Sequence, residues 1–125
     1  MKNKVFGRKL NRSRKSRNAL LRSLMRAMVE HGEITTSFYK AKFLQPDAEK
    51  IMTLVKKGDL ASRRIVMSKL GNDRKTVEKL FGDLARMTKS RGSGFTRITK
   101  LPKRKGDFAQ MARLEWTEKA PEKKK

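Results

Sequence analysis

Hydrophobic residues recur every three to four positions over two long stretches in the first half of the chain. The first begins near Ser13 or Ser16, either of which could cap a helix, and Gly32 ends it. The second runs from residue 38 to residue 57 and contains Pro46, which predicts a kink or a break into two segments. The predicted apolar faces are Leu20, Leu21, Leu24, Met25, Met28 and Val29 on the first helix, and Leu44, Ala48, Ile51, Met52 and Val55 on the second.

Two shorter helices are predicted between residues 60 and 88. Gly58 and Asp59 end the preceding helix and cap the first of them, and Gly71 stops it. Asn72 or Asp73 caps the next helix, which covers residues 73–88. Their predicted apolar sides are Leu60, Ala61, Ile65, Val66 and Leu70 on the third helix, and Val77, Leu80, Phe81 and Leu84 on the fourth.

Three short stretches have the composition or alternation typical of β-strands. Residues 33–37 are rich in β-branched side chains, and residues 95–101 and 108–116 are separated by a turn-rich loop. We expect the last two to pair as an antiparallel hairpin, with Phe108, Ala112, Leu114 and Trp116 on one face. This order predicts an α+β fold of four helices with a short three-stranded sheet, arranged as helix, strand, three helices and β-hairpin.

The two ends of the chain lack this periodicity. Residues 1–12 predict a basic, extended arm, and residues 117–125 predict a solvated, disordered tail of Glu, Lys, Ala and Pro. Residues 13–116 remain as a single α+β domain.

Charge is distributed very unevenly along the chain. Lys and Arg number 34 against 12 Asp and Glu, which gives a net charge of +22. From Met1 to Val29 there are ten bases and no acid, and from Leu84 to Gly106 there are eight bases and no acid. Crowded like charges repel one another and destabilise a folded chain unless a partner neutralises them. The phosphates of a nucleic acid are the obvious partner.

The residue types that carry most enzyme chemistry are scarce. The chain has no cysteine, and its only histidine, His31, lies at a predicted helix end, where capping explains it. The acids are scattered singly, and Gly92-Ser93-Gly94 lacks the pattern of a nucleotide-binding loop. We therefore expect no enzymatic activity, no metal site, no cofactor and no small-molecule substrate. The apolar runs are also too short for a membrane span or a signal peptide.

Bases in the two acid-free stretches are the candidate nucleic-acid contacts. Arginine grips phosphate with two parallel hydrogen bonds, and its plane stacks on bases. On the predicted strand 95–101, Arg97 and Lys100 face opposite sides, and Phe95 is either a base-stacking platform or, more in keeping with a small domain, a core anchor. The candidates are Lys2, Lys4, Arg8, Lys9, Asn11, Arg12, Arg14, Lys15, Arg17, Lys89, Arg91, Arg97, Lys100, Lys103, Arg104 and Lys105.

Several short motifs resemble one known family in their order and spacing. They include Gly7-Arg8-Lys9-Leu10-Asn11-Arg12, Glu33-Ile34-Thr35-Thr36, Ala61-Ser62-Arg63-Arg64 and the run from Arg91 to Lys100, RGSGFTRITK. Together they resemble the bacterial large-subunit ribosomal protein seventeen family over nearly everything before the tail. Single pieces are weak matches, but their combined order is specific.

This resemblance implies a fold, a role and a set of contacts. The fold is one helix and strand followed by three helices and a hairpin. The role is a structural, non-catalytic component of the large ribosomal subunit in the cytoplasm, which binds 23S-type rRNA near the exit side of the peptide tunnel beside neighbouring large-subunit proteins. Carried over residue by residue, the implied RNA contacts are Arg8, Lys9, Asn11, Arg12, Arg17, Arg22, Arg63, Arg64, Arg91, Arg97 and Lys100.

Two other functions compete with the leading hypothesis of an rRNA-binding structural protein. The predicted helices 60–70 and 73–88, joined by a short turn, could imitate the helix-turn-helix of a DNA-binding or DNA-architectural protein. Asp73, Glu78 and Asp83 make the second helix a poor reader of a major groove. A basic membrane-surface protein is the third hypothesis, although the apolar faces are needed for the core.

Overall fold

The computed structural model of the chain describes residues 9–89 and 91–118. Its elements are α1 (Arg14–His31), β1 (Glu33–Ser37), α2 (Phe38–Lys57), α3 (Leu60–Lys69), α4 (Arg74–Phe81), a 3-10 helix (Leu84–Thr88), β2 (Thr96–Leu101) and β3 (Met111–Trp116). The predicted α+β fold, with its order of helix, strand, three helices and hairpin, is confirmed. The disordered tail expected from residue 117 onward lies almost entirely outside the described residues.

Side chains at the helix ends define where the helices start. The hydroxyl of Ser13, not Ser16, caps α1 by accepting a hydrogen bond from the Ser16 amide at 3.3 Å. Asp59 caps α3, and Asp73, not Asn72, caps α4. Hydrogen bonds from Thr76, together with the charge of Arg26, lower the pKa of the Asp73 carboxyl, so this cap is ionised in any near-neutral solution.

The three strands form one antiparallel sheet in the order β1-β3-β2, with β3 in the centre. Alternation along β3 turns Ala112, Leu114 and Trp116 toward the helices, where all three are buried. The Trp116 indole donates a hydrogen bond to the Met28 carbonyl at 3.3 Å, which joins the sheet to α1. The core therefore lies between one face of the sheet and the helices, and the opposite face carries no buried core residue.

Two helix boundaries differ from the prediction. Of the two outcomes predicted at Pro46, a kink or a break, the break is wrong, because α2 continues through Pro46 from Phe38 to Lys57. The fourth helix ends at Phe81 instead of residue 88. Gly82, with φ −90° and ψ −86°, leaves the helical conformation, and the chain re-forms only a short 3-10 helix at Leu84–Thr88.

The buried side of α3 also differs from the prediction. Leu60 is 63% exposed and Ile65 is 47% exposed, so neither belongs to the core. The side facing the core instead carries Ser62, Val66 and Leu70, which are spaced by four residues and form one ridge along the helix. Leu60 lies two residues before Ser62, and Ala61 and Ile65 each lie one residue before a member of the ridge, so all three are turned away from it around the helix.

Two aromatic residues near the hairpin have opposite environments. Phe95 is only 1% exposed, which confirms the core interpretation over the stacking platform. Phe108 was expected in a strand on the core face, and this is wrong: it is 75% exposed, and β3 begins only at Met111. Its φ of +54° is incompatible with a strand, so the loop continues from Pro102 to Gln110.

Candidate nucleic-acid interface

The leading basic region, defined as residues 9–22, contains six bases and no acid. It includes the start of α1, whose first buried residue is Met25. Residues 14–20 contribute nothing to the core, which the helix reaches only from Leu21 onward. At 1.5 Å per residue, those seven residues extend about 10 Å of helix away from the packed domain.

Of the arm predicted over residues 1–12, only residues 9–12 are described, and they make a tight turn before α1. The Arg12 amide donates to the Lys9 carbonyl at 3.0 Å, and the two residues between them, Leu10 and Asn11, have φ of 52° and 54°. The Arg12 guanidinium donates to the Leu10 carbonyl at 3.2 Å, and the Arg17 guanidinium donates to the Arg12 carbonyl at 2.8 Å. These two arginines therefore fasten the turn to the helix. Lys2, Lys4 and Arg8 lie outside the described residues.

The remaining bases of the leading region are directed to solvent. Lys9, Arg14 and Lys15 are exposed, and Arg22 is exposed while its Nε donates to the Lys69 carbonyl at 3.3 Å, at the end of α3. Within residues 9–89 and 91–118, no ion pair involves any base of this region. Its positive charge is therefore uncompensated inside the described part of the molecule.

Contacts further along α1 fix the direction in which the leading region points. Arg26 pairs with Asp73 at 2.7 Å, and Lys79 donates to the Glu30 carbonyl at 3.1 Å. The later residue of α1 contacts the later residue of α4 in these two pairs. The two helices therefore run side by side in the same direction. The turn at Gly71 lies against Arg22, and the start of α1 extends beyond it.

The trailing basic region, defined as residues 86–105, has eight bases, but three of its arginines form ion pairs with acids outside that stretch. Arg91 pairs with Glu118 at 3.0 Å, Arg97 with Glu115 at 3.9 Å and Arg104 with Asp107 at 2.5 Å. The hydrogen bonds from Arg104 lower the pKa of Asp107 to about 2, helped by the Ala109 amide. The folded chain therefore brings acids from outside this stretch next to its arginines.

A carboxylate on α2 holds the start of β2 in place. Glu49 accepts hydrogen bonds from the Phe95 amide at 3.2 Å, the Thr96 amide at 2.9 Å and the Thr96 hydroxyl at 2.6 Å. Two turns of helix further on, the Lys56 ammonium donates to the Arg91 carbonyl at 2.9 Å. The loop before β2 is thus fastened to α2 at two places, which makes the trailing region part of the rigid domain.

The register confirms that Arg97 and Lys100 face opposite sides of the sheet. Arg97 is opposite Glu115 on the outer face, whereas Lys100 is opposite Ala112, whose side chain points toward the helices. The Lys100 ammonium lies 5.2 Å from the centroid of the Phe38 ring, and the Lys42 ammonium lies 5.6 Å from the same ring. Lys100 therefore belongs to an aromatic and cationic cluster at the start of α2.

The other candidates are distributed over several surfaces. Lys89, Lys103 and Lys105 are exposed, with no ion pair among the described residues. Arg63 lies over the Phe81 ring at 5.6 Å, and Arg64 is exposed. These two arginines are on α3 and belong to neither basic region, so the structure does not bring all the candidates together on one surface.

Sequence reasoning missed the positions of two residues, Arg113 and Phe108. Arg113 lies in the middle of the outer sheet face between Thr35 and Thr99, and its Nε is buried without a hydrogen-bond partner among the described residues. The alternation of β3 could have placed it there. Phe108 is the second, and the Gly106-Asp107 turn signal just before it could have placed it in the loop.

The described residues offer little basis for other kinds of site. A groove of about 500 Å³ lies between α1 and α4, but two of its charged lining residues, Arg26 and Asp73, pair with each other. Residues 9–89 and 91–118 contain no cluster of three or more His, Cys, Asp or Glu that could hold a metal ion. No helix in the same part of the chain is both long and apolar enough to cross a membrane.

Comparison with known proteins gives one consistent result. The family model described as ribosomal protein L17 matches residues 20–117. The chain is 44% identical over 119 residues to a large ribosomal subunit protein bL17 from Persephonella marina, covering 94% of this chain and 96% of that one. A protein of the same name from Magnetococcus marinus is 42% identical over 119 residues, covering 95% of this chain and 94% of that one.

Proposed function

The chain belongs to the ribosomal protein L17 family, and from this premise we propose that it binds large-subunit ribosomal RNA through its two basic regions. The family is structural and non-enzymatic, and the chain is accordingly a structural component of the large ribosomal subunit, located in the ribosome in the cytoplasm. The predicted absence of enzymatic activity agrees with this membership. Which residues contact the RNA is the new part of the proposal.

The observation that carries the proposal is the uncompensated charge of the leading basic region. Lys9, Arg14 and Lys15 are exposed at the free end of α1, and no described acid pairs with them. Cations held together this way repel one another, and the repulsion disappears when phosphates approach and the condensed counterions of the RNA are released. A protruding helix end also suits the spaces between RNA helices, where shape and backbone contacts dominate recognition.

The rigid domain would hold the two basic regions at a fixed separation. Arg22 fastens α1 to the end of α3, and Glu49 fastens the start of β2 to α2. Both supports lead back to the same core, so RNA segments bound at the two regions would be pinned relative to each other. The exposed Leu60 and Ile65 on α3 support contact with a neighbouring large-subunit protein as a second kind of interaction.

The salt dependence of RNA binding tests the proposal directly. If about eight phosphates are engaged, log affinity for large-subunit rRNA should fall with log salt at a slope of roughly −6 to −7. The protein should also sediment with the large subunit in moderate salt and dissociate in high salt. A flat salt response would contradict the proposal.

A triple variant locates the binding surface. Replacing Lys9, Arg14 and Lys15 by glutamine should weaken binding and flatten the salt slope by about 2 to 3. The matched control replaces three other exposed lysines, Lys50, Lys57 and Lys75, and removes the same charge from outside both regions. Equal effects of the two triple variants would mean that only net charge matters.

The helix-turn-helix alternative finds little support in the structure. Its would-be reading helix, α4, has only eight residues, and Thr76, Val77 and Leu80 are buried against the core. Asp73 and Glu78 add negative charge to what remains. Duplex DNA that displaces folded rRNA fragments equally well would be needed to restore this alternative.

A further inference from the structure

The loop between β2 and β3 has a defined shape. The Arg104 amide donates to the Ala109 carbonyl at 2.9 Å, and the Phe108 amide donates to the Arg104 carbonyl at 3.1 Å. The Asp107 carboxylate accepts two bonds from the Arg104 guanidinium and one from the Ala109 amide. At the base of the loop, the Gln110 amide group donates to the carbonyls of Leu101 and Met111.

Phe108 lies in this loop with an exposed side chain and a backbone conformation that is unfavourable for phenylalanine. The residue is 75% exposed, more than any other large hydrophobic residue in the described part of the chain. Its φ of +54° lies in the left-handed region, which is uncommon for residues other than glycine, asparagine and aspartate. A bulky aromatic residue held in this way contributes little burial to the fold. A contact outside the molecule would explain it.

The charges around Phe108 indicate which kind of partner would make that contact. Lys103 and Lys105 are exposed on the same loop, and the one acid of the loop, Asp107, is already bound to Arg104. An apolar pocket on a protein would have to accept the neighbouring ammonium groups as well. An unpaired nucleobase combines a flat apolar face with flanking phosphates, so it matches both the ring and the lysines.

We propose that Phe108 is a base-stacking residue that packs against an unpaired nucleobase of the RNA, while Lys103 and Lys105 contact the adjacent phosphates. This inference rests on the proposed rRNA-binding function. Stacking on an aromatic ring tolerates any base, so the site would select unpaired RNA over duplex without strong sequence preference. The ion pair between Arg104 and Asp107 would hold the loop in the shape that presents the ring.

Three substitutions at Phe108 in the full chain test the proposal against large-subunit rRNA. Phe108→Ala should weaken binding by about 5- to 150-fold, which is the usual effect of losing one stacked base. The slope of log affinity against log salt should stay unchanged, because no cation is lost. Phe108→Leu should show a comparable loss because leucine has no aromatic face, and Phe108→Trp should bind at least as well as the original protein. Leu60→Ala, which removes another exposed hydrophobic residue, is the matched control and should have little effect on RNA affinity.

Fluorescence of the Phe108→Trp variant reports the stacking itself. The natural Trp116 is buried, so the unmodified protein supplies the background signal. Single-stranded oligoadenylate should quench the emission of the new tryptophan, and an RNA duplex of equal length should quench it much less. Unchanged affinity of Phe108→Ala would overturn the proposal, as would full affinity of Phe108→Leu together with no quenching, because binding would then not need an aromatic face. If the unmodified protein shows no salt-dependent rRNA binding, the proposed function itself has failed.

Discussion

The two basic regions look alike in charge but differ in how the folded chain treats that charge. The leading region keeps its six bases free of ion pairs within the described residues and extends beyond the core on the end of α1. The trailing region is built into the sheet and its loops, and three of its arginines pair with Asp107, Glu115 and Glu118. In the part of the chain that the structure describes, the leading region has unpaired charge and few contacts with the core. The trailing region is held firmly by the sheet, and its charge is partly neutralised.

This difference suggests a division of labour in RNA binding. Free cations on a protruding helix maximise counterion release and therefore salt-dependent affinity. A rigid hairpin with part of its charge neutralised by acids is better suited to fixing position, through shape and specific contacts such as the proposed stacking of Phe108. This comparison can be tested by substitutions that remove the hydrogen bonds or charges of each region, followed by measurements of stability and RNA binding.

The largest expected effect concerns the support of the trailing region. Glu49→Ala removes the acceptor of three hydrogen bonds and leaves the amides of Phe95 and Thr96 without that partner. We expect the free energy of unfolding to fall by about 2 to 4 kcal/mol, as measured by urea denaturation. Glu78→Ala, which removes an exposed acid on α4, is the control and should change stability by about 0.5 kcal/mol or less. A loss below about 1 kcal/mol for Glu49→Ala would show that the hairpin is held mainly by other contacts.

A smaller effect is expected at the start of α1, inside the leading region. Ser13→Ala removes the cap of α1, a single exposed hydrogen bond to the Ser16 amide. Unfolding free energy should fall by about 0.5 to 1 kcal/mol, and the loss of helicity should be confined to the first turn. Amide hydrogen exchange would show this as faster exchange near residues 14–17, with β2 and β3 unchanged. Faster exchange throughout the sheet would contradict the independence of the two regions.

Much of the secondary structure could be predicted because it depends on local signals. Ser13, Gly32, Gly58 with Asp59, and Asp73 lie at helix ends and mark those ends in the sequence itself. The buried side of α3 could not be predicted, because apolar residues occur all around that short helix. Only packing against α2 and α4 selects the ridge of Val66 and Leu70.

The candidate interface was harder to predict than the fold. The bases are visible in the sequence, but their ionic partners depend on strand register and on where the chain returns. Arg97 meets Glu115 because β2 and β3 pair with that register, and Arg91 meets Glu118 only after the whole hairpin has formed. Counting charges along the sequence therefore overstates the free charge of the trailing region. The individual RNA contacts remain predictions.

The smallest expected effect is the acid response of the hairpin loop. Because Arg104 lowers the folded-state pKa of Asp107 from 3.8 to about 2, the ion pair stabilises the closed loop fully above about pH 4. That contribution disappears as the pH falls through about 2. The Asp107 carboxyl carbon should titrate in NMR spectra with a midpoint near pH 2. In the Arg104→Gln variant the midpoint should return toward 3.8, and a midpoint near 3.8 in the unmodified protein would exclude a stable ion pair.

The most direct test of the central claim compares the salt dependence of two double variants that lose equal charge. Arg14→Gln with Lys15→Gln removes two free bases of the leading region, and Arg97→Gln with Arg104→Gln removes two ion-paired bases of the trailing region. For binding to large-subunit rRNA, the leading pair should make the log–log salt slope less steep by about 1.4 to 1.8, whereas the trailing pair should change it by less than about 0.5. Equal changes in the two slopes, or a larger change for the trailing pair, would contradict the claim that the bases of the leading region are uncompensated whereas the ion-paired arginines of the trailing region are not.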